Sequence, residues 1–167
     1  MKNILENKIQ FFTSLFASSY FLYYLYTYKD WHFIDNINLL IHEAGHVIFM
    51  FFGDFLYVLG GSLFPILFPI LFVLYFYRKQ NYFSASLLLF WVGLNIINVS
   101  VYASDAQNMD LSLLGGDSSG HDWNNLLQMT NTLQYTDTIG TSIFCLVVLT
   151  IFCAIYFSFA NYKNPSN

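Results

Sequence analysis

Ile41-His42-Glu43-Ala44-Gly45-His46-Val47 stands inside a largely apolar run from Trp31 to about Phe52. On a helix His42 and His46 lie one turn apart and face the same way, so two imidazoles can hold one zinc ion. Glu43 then falls beside the metal, placed to take a proton from bound water and return it to a leaving amine. The chain has only two Glu, Glu6 and Glu43, and four His. Burying two imidazoles and a carboxylate in a lipid-facing helix is costly, so ionisable groups there default to a functional reading. The plainer reading is a helix whose His42 and His46 hydrogen-bond a neighbour while Glu43 stays protonated. The HExxH order favours metal.

The surrounding chain is that of a membrane protein. Its 167 residues are 56% hydrophobic, 21% aromatic and only 10% charged, where a soluble domain would carry about 25% charged residues. Length allows a single domain, residues 1–167. The net charge of −4 comes with no basic cluster able to grip phosphates, which excludes a nucleic-acid partner. Cys145 and Cys153 lie in the last apolar run, where free Cys behaves as a small hydrophobe and makes no zinc spacing.

Working outward from the motif, hydropathy predicts an all-α, multi-pass helical bundle of about five spans, near 9–28, 31–52, 63–77, 83–102 and 138–157. In the second span Asp35, Asn38, His42 and His46 follow at steps of three, four and four, one polar stripe that should face the interior. Gly45 allows a backbone to approach closely. Gly60-Gly61, Pro65 and Pro69 suggest either irregular, re-entrant chain over Tyr57–Ser62 or an ordinary kinked helix. Asn95 and Asn98 share a face of the fourth span at the depth of the motif, which makes them candidates to line the site. The polar loop 103–137 has no Lys or Arg. Ser119 and Asp122 resemble a capping box, so a short interfacial helix should start there, with His121 in its first turn.

Catalytic zinc takes three protein ligands and keeps one position open. The third has candidates in His121, Asp105, Asp110, Asp117 and Asp122, all in the loop. His121 ranks first, with Asp122 beside it to orient its ring; Asp105 and Asp117 are the alternatives. With HExxH near mid-span, a loop facing the far end of that span must dip inward to reach it.

With HEAGH at 42–46, a Gly/Pro-interrupted apolar stretch, and an Asn-rich span leading to a Gly-Gly-acidic segment, the chain resembles the site-2 protease family of intramembrane zinc metalloproteases. In that family the third ligand is an Asp of a Leu-Asp-Gly motif; the nearest text here is Leu114-Gly115-Gly116-Asp117. The resemblance implies hydrolysis of peptide bonds in or beside the bilayer, with Zn²⁺ as cofactor and a membrane-protein or peptide substrate. A different class of reading is a small non-catalytic membrane subunit, with a structural metal site or polar contacts between helices.

Overall fold

The computed structural model describes residues 4–111 and 120–163, and among these all regular structure is helical. The helices are α1 (Ile4–Tyr26), α2 (Phe33–Phe49), α3 (Asp54–Arg78), α4 (Tyr82–Ser104), α5 (Asp122–Met129) and α6 (Thr136–Lys163). Short 3₁₀ turns at Met50–Phe52 and Leu133–Tyr135 carry the chain out of α2 and into α6. Among the described residues, three segments are both long and apolar enough to cross a membrane, Asp54–Arg78, Tyr82–Ser104 and Leu133–Phe157; α1, with 23 residues, matches them in length but is less apolar.

Helix α4 is the central strut. Gly93 lies against Phe21 of α1 and Thr150 of α6, and Gly140 of α6 meets Ser104 and Ser100 at the other end of α4. Residue 93 opposite 150 and residue 104 opposite 140 make α4 and α6 antiparallel. A core of Phe21, Tyr24, Leu89, Val92, Ile97 and Val147 fills the space between α1, α4 and α6. Asn81 starts α4 by accepting the Ser84 N–H at 3.1 Å, which answers one of the donors a helix leaves free at its first turn.

Helix α3 departs from one of the two readings its sequence allowed. Residues 57–62 are not irregular chain: α3 is helical from Asp54 onward, with Pro65 and Pro69 inside it. Gly60 and Gly61 serve helix packing. A Cβ on Gly60 would sit 2.8 Å from the Gly45 carbonyl oxygen and from Phe49 Cβ, and one on Gly45 would overlap the Gly60 carbonyl. Backbone meets backbone where α2 crosses α3, a contact only glycine permits on both sides.

The beginning of α2 is tied down by Asp35, which is 2% exposed. Its carboxylate accepts the His32 N–H (2.7 Å), the Tyr24 hydroxyl (2.7 Å) and the Asn98 amide (2.8 Å). Asn38, one turn on, accepts the Trp91 indole N–H at 2.9 Å. Three bonds from three elements satisfy a carboxylate that burial alone would penalise. The polar stripe of α2 is thereby joined to α4 by side chains.

The short helix expected after Ser119 is present as α5, beginning at Asp122; Ser119 itself lies outside the described residues. His121 is its N-cap, accepting the Asn124 N–H on Nδ1 at 3.2 Å. Three further bonds hold this short helix to the bundle: Trp123 Nε1–H to Ser62 of α3 (2.9 Å), Asp122 N–H to the Tyr102 hydroxyl of α4 (2.9 Å), and the Asn124 amide to the Ala106 carbonyl (2.7 Å).

Candidate metal site

His42 and His46 point from the last turns of α2 toward α3, with their Nε2 atoms 3.1 Å apart. Asp122 completes a triangle with them. Its Oδ2 lies 2.9 Å from His42 Nε2 and 3.2 Å from His46 Nε2. Among the described residues this is the group of ligand-type side chains that converges closely enough to hold a metal. Three ligands at the usual zinc bond lengths, arranged tetrahedrally, would stand about 3.3 Å from one another. The three separations are close to that edge, so the donor set fits zinc.

Two more features bear on that fit. His46 Nδ1 is 2.9 Å from the Tyr57 carbonyl oxygen, which can only accept, so Nδ1 carries the proton. In a neutral ring Nε2 then presents a lone pair to Asp122 and to His42, an arrangement that calls for a cation or a second proton between them. The wall opposite is Gly61: a Cβ there would lie 2.5 Å from His46 Nε2 and 2.7 Å from His42 Nε2. The space in front of the imidazoles exists because residue 61 has no side chain.

Burial pushes the Asp122 carboxyl upward, but hydrogen bonds and charge interactions with His42 and His46 outweigh it and hold the group below the usual carboxylate range. Asp122 is thus ionised at neutral pH, as a ligand must be.

The group opens onto a cavity of ≈ 880 Å³ between α2, α3 and α4, whose lining includes Glu43, Tyr57, Asn95, Asn98 and Tyr102. Glu43 is exposed, so the carboxylate next to the imidazole pair faces this space without being spent on a structural bond. Asn95 is 1% exposed; its amide donates to the Trp91 carbonyl (3.0 Å), and its Oδ1 has no partner. Asn98 donates to Asp35. Both amides border the cavity.

The third position beside the imidazole pair is Asp122, where the sequence ranks His121 first. His121 is fully buried and turned away: its Nε2 is 3.2 Å from Asp105 Oδ2. Asp105, an alternative ligand by sequence, also accepts the N–H groups of Asp110 and Leu111 (3.0 Å each) and shapes the loop. Asp117 lies outside the described residues. The roles of the neighbouring pair are therefore exchanged: His121 caps and orients, and Asp122 reaches the imidazoles. Within α2, His42 lies one residue past the middle and His46 three residues before Phe49, and the start of α5 reaches both through Asp122. No family model matches the chain, and neither a curated protein nor a solved structure shows significant similarity to it.

Proposed function

We propose that the chain is a multi-pass membrane zinc metalloprotease, similar in chemistry to the site-2 protease class. The observation that carries this reading is the triangle of His42 Nε2, His46 Nε2 and Asp122 Oδ2 beside an exposed Glu43 on a common cavity. Three protein ligands and an open side distinguish a catalytic from a structural zinc site, which would close with a fourth.

His42, His46 and Asp122 would hold the ion, which when bound supplies Lewis acidity toward a scissile carbonyl and toward water. The Tyr57 carbonyl keeps the His46 ring in the tautomer that leaves Nε2 free to bind. Glu43 takes the proton of the attacking water and delivers it to the amine of the leaving strand, which ends as a neutral N-terminus. The cavity of ≈ 880 Å³, bordered by α2, α3 and α4, would take a peptide segment.

The test pairs zinc content with cleavage of a membrane-anchored peptide library by the purified chain. Glu43→Gln should keep stoichiometric zinc and lose about 10²–10⁴-fold in rate, the usual size of a general-base effect. Equal cleavage by wild type and variant would remove the protease reading. Tight zinc with no hydrolysis in either would favour the non-catalytic subunit.

A further inference from the structure

We infer that α2 does not cross the membrane: it enters and leaves at one face, leaving four crossings (α1, α3, α4, α6) and opening the His42–His46–Asp122 cavity to the non-cytoplasmic side. The metal's role in that cavity rests on the reading above; the topology does not.

The chain reaches α2 at the end of the bundle where α4 finishes. Phe21 packs on Phe90, with ring centroids 5.5 Å apart, and borders Gly93; seven residues later Tyr28 stands 5.7 Å from Phe144. Because α4 and α6 are antiparallel, Phe144 lies level with the last turns of α4. Helix α1 thus runs parallel to α4 and stops beside its end, and Lys29 shares a cavity wall with Ser104, Asp105 and Gly140.

The chain leaves α2 at that same end. Val58, in the first turns of α3, belongs to a cluster with Val99, Ala103 and Trp123, so α3 begins where α4 finishes. Between these flanks α2 reaches inward only part way. Gly45 touches Gly60, and the deepest contact with α4, from Asn38, goes to Trp91, near the middle of Tyr82–Ser104. At 17 residues and a rise of about 1.5 Å each, α2 is also shorter than a hydrocarbon core of about 30 Å.

Charge placement supports the same count independently. Four crossings put the start of α1, the α3–α4 turn and the end of α6 on one face. In sequence those places carry Lys2, Lys8, Arg78, Lys79 and Lys163, five of the six basic residues, and only Lys29 goes to the site's face. The five spans expected from hydropathy divide them four to two. An excess of Lys and Arg marks the cytoplasmic side, so the cavity and the segment that delivers Asp122 face away from the cytoplasm. A peptide would therefore be presented from the outer side of the membrane.

The experiment is single-cysteine labelling of the full chain in a Cys145→Ser, Cys153→Ser background, using a membrane-impermeant maleimide on intact expressing cells. Detergent-solubilised samples give the full signal. Asp30→Cys and Phe52→Cys flank α2, and Lys79→Cys reports the opposite face. The expected result is full labelling at 30 and 52 in intact cells, with 79 labelled only after permeabilisation. Labelling of 30 and 52 from opposite sides would show that α2 crosses and overturn the inference. Protection of both, with 79 accessible, would overturn the assigned orientation. No readout depends on zinc or proteolysis, so the result stands apart from the fate of the protease reading.

Discussion

Replacing Gly61 by Ala adds one methyl group at the place where the imidazoles need room. The new Cβ would be 2.5 Å from His46 Nε2, and 2.7 Å from both Nε2 and Cε1 of His42. Comfortable non-bonded contact needs about 3.5 Å or more, so the rings or α3 must retreat by about 1 Å. Metal sites tolerate departures of about 0.2 Å from ideal bond lengths, and the retreat is several times that. Nor can α3 yield easily, since Gly60 is held against Gly45 and Phe49. Zinc affinity, read by competition with a chromogenic chelator, should fall by more than about 100-fold, beyond what loss of a supporting hydrogen bond produces. The strain should also lower stability by about 1–3 kcal/mol. Gly120→Ala is the control, because a Cβ there meets nothing within 4 Å. Wild-type zinc affinity in Gly61→Ala would refute the assignment of the site to this triangle.

Three other outcomes follow from the same geometry. Asp122→Ala should abolish stoichiometric zinc binding, whereas His121→Ala should weaken it only about 10–100-fold by loosening the cap that orients Asp122; zinc titration of both separates ligand from support. Asp35→Ala leaves the buried donors of the Tyr24 hydroxyl and the His32 N–H unanswered and should destabilise by about 1–3 kcal/mol per orphaned group, measured by thermal unfolding in detergent, without removing a zinc ligand. Zinc affinity should fall as pH is lowered, because protons compete for the imidazole Nε2 atoms. Asp122, already ionised, contributes to that competition only in the acid range below its usual value, so an affinity flat from pH 7 to pH 5 would contradict ligation by His42 and His46.

The helical spacing of His42 and His46, and the stripe that adds Asp35 and Asn38, depend on local periodicity and could be read directly from the chain. Asn95 and Asn98 were legible too, since a polar face on an apolar helix has few places to point. The choice between His121 and Asp122 was not. It turns on the residue at which α5 begins: the N-cap has extended backbone, φ −72° and ψ 100° at His121, and the next residue is rotated onto the opposite face. A Ser119 start would have put His121 in the first turn. A preference for Asp in the opening turn of a helix was the available signal, and it favours residue 122. Helix α3 was ambiguous for a related reason: Gly-Gly and two prolines weaken a helix locally, and only the facing Gly45 shows that packing overrides this.

The two prolines of α3 carry a consequence that side chains do not reveal. Proline has no N–H, so the helical rung from residue 65 back to Gly61, and the one from residue 69 back to Pro65, cannot form. Gly61 faces the imidazoles and Pro65 borders the cavity. Beside the site, the carbonyls of residues 61 and 65 are therefore left without the N–H that a regular helix would give them. Among truncations along this wall, Pro65→Ala and Pro69→Ala are the ones that would erase the feature, because each restores an N–H and closes the missing rung.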